Sequence, residues 1–401
     1  MGKDRKRILI IVENLPVPHD KRVWQEANSL TKAGYKVAVI CPKGKNATLK
    51  YEVINDISIY RHPLPLEARG KLGYLIEYPF SLFWEFMLTL KVFFSHGFDV
   101  IHACNPPDLI FIIGVIFKFI FRKKFVFDHH DVNPEIWLAK GGRKNIVYKM
   151  LVVLERLSFK SASLSLAVNN TCRDIAINRG NMDPDRIFIV RNAPLKDSVR
   201  IVQTGTLKRD NNKKRHVVGY LGVMGKQDDV DNLLHILDYI VNKKGRRDVI
   251  FKLMGDGPEL KSVKELAAKM SLDNYVDFTG WVSGDDYVNH LSSCDICVNA
   301  DTVNQYNVIC SPNKIYEYMS FKKPIVQFDM PELQYIAREA ALYAEPNNNI
   351  DFADKIIHLL DDPGLRAKMG EIGQKRFIEN FTWEKSEQEL LKAYTYLFEN
   401  N

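Results

Sequence analysis

A chain of 401 residues is longer than one hydrophobic core usually supports, so two domains are the expectation. With 46% hydrophobic and 26% charged residues it reads as soluble and globular rather than disordered, and six cysteines are too few for a disulfide framework. The formal net charge of +7 favours an anionic surface, and no nucleic-acid partner is expected.

The chain opens with basic residues and a five-residue apolar run, ILIIV at 8–12, shorter than a signal-peptide core and better taken as a first strand in a reducing cytoplasm. The following loop, 13–20, has no glycine fingerprint, which counts against a dinucleotide-binding half. Asp20 and Arg22 lie either near the floor of a cleft or at the start of the next helix, which Asp20 could cap. Strands are predicted at 36–42, 98–103, 124–130, 164–168 and 187–194. Between them, 109–121 is too short to span a membrane and reads as a buried helix packed on a sheet. The segment 74–94 is dense in aromatics and carries few charges, more apolar than a helix with one solvated face needs, so a peripheral membrane contact is expected through it.

Periodicity dissolves in a polar, basic stretch, which places a linker at 196–215 between a first domain, 1–195, and a second, 216–380. In the second, VVGYLG, VIFKLMG, YVDFTGW, ICVNA, PIVQF and ALYAE read as strands with helices between them. Cys294 and Cys297 form a C-x-x-C with no second pair, inside a pattern that suggests a buried strand rather than a metal or redox site. A final helix occupies 381–401.

Ligands of doubly wound sheets bind at the carboxyl ends of strands, so the loops there carry the chemistry. FDHHD puts Asp128 and His130 on one side of a strand and His129 and Asp131 on the other, without a closed tetrahedral set, so no metal site is expected. Gly222, Met224, Gly225, Lys226 and Gln227 follow the first strand of the second half, where glycines let a backbone approach a phosphate. Gly255, Asp256 and Gly257 form a similar turn, and Trp281 and Val282 a third loop. In SPNKIYEYMSFKKPIV, 311–326, Ser311 suits an N-cap and Pro312 the first helical position, so that Asn313 and Lys314 open a helix whose mouth favours a phosphate. Glu317 lies one turn in, where its carboxylate could accept from ribose hydroxyls.

These blocks, in this order, resemble the nucleotide-sugar glycosyltransferases of family 4, also called group 1, over nearly the whole chain. The resemblance implies a GT-B fold, two doubly wound Rossmann-like α/β domains facing a central cleft, with the last helix returning to the first domain. It implies a retaining transfer from a nucleotide sugar, UDP-linked, to a saccharide or lipid-linked saccharide acceptor, as in the branch that makes surface polysaccharides. His130 then contacts the donor sugar, Glu317 the ribose, and Lys314 and Lys226 the diphosphate, with no cofactor or metal required, at the inner face of the cell membrane. Three positions depart from the pattern: no arginine accompanies Lys226, Asp229 replaces a glycine, and Ile309 stands where the first of two glutamates is usual. Lys322 likewise replaces a helix-ending glycine. A GT-B epimerase, or a silent nucleotide-sugar-binding subunit, remains an alternative.

Overall fold

The structure is a computed structural model that describes residues 5–44, 46–63, 73–196 and 215–400, apart from the side chains of 73–77 and 227. The proposed linker 196–215 falls almost wholly outside the described residues. The chain forms two compact units, Met1–Asn192 with Lys385–Asn401, and Ala193–Glu384.

The first unit holds eight strands: β1 Arg7–Ile11, β2 Lys36–Pro42, β3 Tyr51–Ile54, β4 Ile57–His62, β5 Val100–Cys104, β6 Lys124–His129, β7 Leu164–Ala167 and β8 Ile187–Ile189. They lie in the order β3-β4-β2-β1-β5-β6-β7-β8, all parallel except the β3–β4 hairpin. Central strands such as β1 and β5 are buried on both faces, which is why they read as unbroken apolar runs. The hairpin turns at Asn55 and Asp56, both at positive φ, where short polar side chains are tolerated. The helix Trp383–Glu399 contributes Tyr394, whose hydroxyl lies 2.9 Å from His102 Nδ1 on β5.

The second unit has six parallel strands: β9 His216–Leu221, β10 Val249–Met254, β11 Val276–Gly280, β12 Ile296–Asn299, β13 Ile325–Phe328 and β14 Ala341–Ala344. Their order, β11-β10-β9-β12-β13-β14, reverses direction between β9 and β12. In the first unit the reversal falls between β1 and β5. Such a switch point splays the following loops apart and opens a crevice at the carboxyl edge of the sheet.

Two expectations are corrected. The helix Phe111–Phe121 is not buried all round: its inner side holds Ile113 and Phe117, while Phe119 and Ile120 are 73% and 68% exposed. The helix Asn313–Ser320 begins one residue later than predicted, with Pro312 rather than Ser311 as its N-cap.

Candidate active site

In the second unit, the loops after β9 and β10 cross in backbone contact. Met224 N donates to Asp256 O at 3.0 Å, and Glu259 N to Met224 O at 2.9 Å. A Cβ on Gly255, whose φ is +147°, would stand 1.8 Å from Gly222 O, and one on Gly257 would meet the Met224 backbone at 2.5 Å. The G-D-G-P turn is therefore glycine because another main chain fills the place of its side chains. Asp256 Oδ1 accepts from Gly257 N at 2.7 Å, and Asp256 itself is exposed.

The turn after β9 is closed by its own acids. Asp228 accepts from Gly225 N at 3.1 Å. Asp229 is left-handed, φ +45°, as expected where a glycine is usual, and its carboxylate accepts from the Thr302 amide at 3.2 Å and from the Thr302 hydroxyl. Lys226 is exposed, whereas the Gln227 side chain lies outside the described residues.

The helix Asn313–Ser320 enters across the switch point. Its first intrahelical bond is Ile315 N to Pro312 O, 3.1 Å, which leaves the Asn313 and Lys314 amides at the helix mouth. Ser311 does not cap this helix: its hydroxyl donates to Glu332 Oε1 at 2.8 Å. Lys314 is not a solvated cation. Its Nζ lies 3.1 Å and 3.4 Å from the two oxygens of Asp301, just after β12, and 4.6 Å from the Tyr220 ring centroid. Burial lowers the Lys314 ammonium, but Asp301, Tyr220 and Asp228 together hold it above its ordinary value. Burial raises Asp301, with Lys314 opposing. Glu317 is half-buried beside Tyr287, whose phenol is pushed up by burial and by hydrogen bonding to that carboxylate. Trp281 is 75% exposed and Val282 packs on the core. Where the first glutamate is usual, the Val308, Ile309 and Cys310 amides donate to Asn304, Tyr306 and Asn307 carbonyls, so they are engaged within the loop rather than presented to a ligand.

In the first unit, the loops after β1, β5 and β6 surround a buried polar network. Asp20 caps the helix Lys21–Lys32, accepting from Val23 N at 3.0 Å, and this aims Arg22 inward. The Arg22 guanidinium forks onto Asp128, with Nη2 to Oδ1 2.7 Å and Nε to Oδ2 3.1 Å, and lies 3.2 Å from Glu26. His130 Nε2 meets Asp128 Oδ2 and lies 2.9 Å from Arg22 Nε. Burial raises Asp128, but Arg22 and His130 pull it well below the usual carboxylate range, while burial and Asp128 push Glu26 up. Arg22 Nε donates to His130 Nε2, and Asp128 Oδ2 meets the same nitrogen, so Nδ1 is the ring's second polar atom. Asn105 Oδ1 accepts from the His130 and Asp131 amides at 2.7 Å and 3.2 Å and so fixes the turn.

His129 points to the other side, fully buried between Phe127 and Phe159 with Nε2 3.4 Å from Glu155, as strand alternation predicts. Glu135 is engaged by Arg179 at 2.7 Å and 3.1 Å. Among the described residues, Glu26, His102, Cys104 and Asp128 bring ligand-type atoms within 4.8 Å of one another. The Arg22 guanidinium already supplies a cation there, bonded to Asp128 and touching Glu26.

Asp301, Tyr220, Tyr287 and Asn105 escape sequence reasoning, whereas Arg22, expected near a cleft floor or at the helix start, turns inward onto Asp128. The available signal for Asp301 was its place just after a strand beside the switch point.

Two doubly wound sheets, one with glycine loops crossing at the mouth of a helix, make up the GT-B architecture of glycosyltransferases. The model for Glycosyltransferase Family 4 matches residues 20–193, and that for Glycosyl transferases group 1 matches 215–362. The chain belongs to the group 1, family 4 glycosyltransferases, enzymes of the hexosyltransferase type. It is 22% identical to the chitobiosyldiphosphodolichol beta-mannosyltransferase of Debaryomyces hansenii, over 95% of this chain and 86% of that one. It is 20% identical to the phosphatidylinositol N-acetylglucosaminyltransferase GPI3 subunit of Saccharomyces cerevisiae, over 86% and 72%. The fold matches the sucrose-phosphate synthase of Thermosynechococcus elongatus with TM-score 0.75 and 16% identity, covering 99% of this chain and 100% of that one. Anabaena HepE in complex with UDP-glucose matches with TM-score 0.70 and 17% identity, over 97% and 99%.

Proposed function

We propose that this enzyme moves a sugar from a UDP-sugar to a saccharide or lipid-linked saccharide acceptor of surface-polysaccharide synthesis, with retention at the anomeric carbon. The carrying observation is the helix mouth at Asn313 and Lys314 facing the switch point beside the crossed glycine loops, a place built for a diphosphate, with Glu317 one turn further in. Anabaena HepE, with a similar fold, holds UDP-glucose, and the names of two relatives contain a lipid carrier or lipid acceptor.

In this reading Glu317, held by Tyr287, accepts from the ribose hydroxyls, and Gly222, Met224, Gly225, Lys226 and Gln227 line the diphosphate with Ser311, Pro312 and Asn313. Gly255, Asp256 and Gly257 support that loop, and Trp281 and Val282 flank the base. His130, which Asp128 and Asn105 hold in place, is the residue assigned to the donor sugar. The acceptor hydroxyl attacks on the face from which the diphosphate departs. The C1–O bond to phosphate breaks, the new glycosidic bond forms, and the departing oxygen takes the acceptor's proton. The helix amides, Lys314 and Lys226 stabilise the charge that builds on the diphosphate, so no metal is required.

The helix Gly73–Ser95 brings the enzyme to the inner face of the cell membrane. A thermal-shift screen of UDP, GDP and dTDP sugars tests the donor, and stabilisation by a GDP sugar alone would overturn the base assignment. NMR of the product's anomeric centre tests retention, and activity in EDTA tests metal independence. Sugar-nucleotide turnover without acceptor would select the epimerase instead.

A further inference from the structure

The right-handed rule for parallel crossovers fixes which helices share a face of the first sheet. The connections β4 to β5, β5 to β6 and β6 to β7 all step in the same direction across the strand order, so the helices Gly73–Ser95, Phe111–Phe121 and Ile146–Ser161 form one layer. Contacts agree with this. Phe93 lies 5.4 Å from Phe117 and 4.7 Å from Phe121 between ring centroids, and Lys118 Nζ donates to Ser161 O at 2.7 Å. The inner side of the layer is packed by Val92, Ile113, Phe117 and Phe159, each almost fully buried.

Its outer side is apolar as well. On the first helix Phe80, Phe83, Trp84 and Met87 recur at helical spacing and are 36–57% exposed. Phe119 and Ile120 stand out from the second. On the third, Ile146, Met150, Val153 and Leu157 follow a spacing of four, three and four, and are exposed by 78%, 50%, 51% and 40%. Three stripes on neighbouring helices make a contiguous face that a solvated layer has no reason to carry.

Charge identifies what covers it. Residues 109–160 contain ten Lys or Arg against four Asp or Glu, so this stretch supplies most of the chain's +7. Three of the four acids are neutralised within the fold: Asp128 by Arg22, and Glu135 and Glu155 by Arg179. Seven of the ten bases are exposed, with Lys149, Arg156 and Lys160 running beside the Ile146–Leu157 stripe and Lys140, Arg143 and Lys144 just before it, whereas Lys118, Lys123 and Lys124 are half-buried. Large apolar side chains rimmed by exposed cations match the interface of an anionic bilayer, where rings and alkyl groups enter at headgroup depth and Lys and Arg meet lipid phosphates. No helix among the described residues is long and apolar enough to cross a membrane, so the layer lies on the surface.

We propose that the three-helix layer, not the helix Gly73–Ser95 alone, docks flat on an anionic phospholipid bilayer, with the helix Ile146–Ser161 as its electrostatic edge. This rests on the membrane contact proposed above for the helix Gly73–Ser95, widens it to the neighbouring helices, and does not depend on the donor.

The test is co-sedimentation of the full-length chain with vesicles of phosphatidylcholine alone or mixed with phosphatidylglycerol. The parent is expected to bind the anionic vesicles and to be released by salt. Two variants leave the helix Gly73–Ser95 intact. Lys149→Glu/Arg156→Glu/Lys160→Glu and Phe119→Ser/Met150→Ser/Val153→Ser should each lower the partition coefficient at least about tenfold. Far-UV circular dichroism and Tm should match the parent in both, which shows that the first unit still folds. Equal binding to neutral and anionic vesicles, unchanged partition of either variant, or a parent that stays in the supernatant would overturn the proposal. So would a parent dimer that both variants dissociate, because the face would then belong to a second copy.

Discussion

Replacing Lys314 by Met tests whether this lysine serves the reaction or only the fold. Its ammonium lies 3.1 Å from Asp301 and 4.6 Å from the centre of the Tyr220 ring, and both charged groups are buried. Removing one partner of a buried pair costs about 3–5 kcal/mol, because the other charge stays desolvated. For a unit the size of Ala193–Glu384 that corresponds to a fall in Tm on the order of 10 °C at neutral pH. Without its cation, Asp301 escapes the cost by binding a proton, so its folded pKa lies further above the unfolded one. Such a group stabilises fully below its unfolded pKa and loses that contribution as pH rises through the folded value. The stability gap between parent and Lys314→Met should therefore close as the pH is lowered, and Lys314→Met/Asp301→Asn should recover most of it at neutral pH. Turnover separates the roles. If the ammonium stabilises the leaving diphosphate, both variants lose a factor on the order of a hundred in kcat, as for other preorganised charges. Calorimetry beside a transfer assay at saturating donor decides the matter. A double variant within about threefold of the parent in kcat would refute the catalytic role and leave Lys314 a structural residue. Lys226→Met should reduce turnover less than Lys314→Met.

Glu317→Gln keeps the shape but removes the charge; a charge-assisted hydrogen bond contributes about 1.5–3 kcal/mol, so titration calorimetry should show UDP affinity falling at least about tenfold, and an unchanged Kd refutes the ribose assignment. His130→Ala should abolish most transfer with UDP binding intact, whereas His129→Ala, which empties a site between Phe127 and Phe159, should lower Tm while sparing kcat in the surviving fold; the reverse pattern refutes the register. Gly255→Ala places a Cβ 1.8 Å from Gly222 O, so the crossed loops must part, and both Tm and UDP affinity should fall; parent-like values in both would show that the crossing is dispensable. Burial raises the Asp108 carboxyl from 3.8 to about 6, a stabilising contribution present below 3.8 and lost as pH rises through about 6. Urea unfolding of the parent against Asp108→Asn across that window should show the difference, and parallel pH profiles would refute it.

Much of the fold was legible because parallel strands buried on both faces are apolar throughout, a pattern that survives without knowledge of partners. In the second sheet β12 and β13 are such strands, buried at every position, whereas the edge strand β11 is only half-buried. The β3–β4 hairpin was not legible, since Tyr51–Ile54 is an edge strand with exposed Tyr51 and Val53; its signal lay in the turn residues Asn55 and Asp56. The helix Phe111–Phe121 departs from its sequence pattern for the opposite reason. An apolar run signals only that water is avoided, and the same composition serves a core or a surface that meets something else.

The binding loops show a similar asymmetry. Glycine positions could be read directly, because a main chain that must approach another excludes a Cβ at 255 and 257 whatever surrounds them. Asp229 and Lys322 stand where glycine is usual and indeed adopt positive φ, so the backbone demand outlived the substitution. Charges carried no such information. Lys314 was expected as a cation for phosphate, but its field is shared with Asp301, thirteen residues away in sequence and within hydrogen-bond distance in space. Arg22 and Asp128 are 106 residues apart and form one buried ion pair. A charged residue's effect depends on its nearest opposite charge and on the water between them, and neither is local in sequence. The missing arginine beside Lys226 is thus only half of the electrostatic question. The other half is whether a diphosphate at the helix mouth draws Lys314 away from Asp301, whose buried carboxyl can take up a proton when its cation is shared. That exchange would make donor binding proton-linked: UDP affinity in the parent should depend on pH more steeply than in Asp301→Asn. Equal slopes would place Lys314 permanently with Asp301 and leave the diphosphate to the helix amides and Lys226.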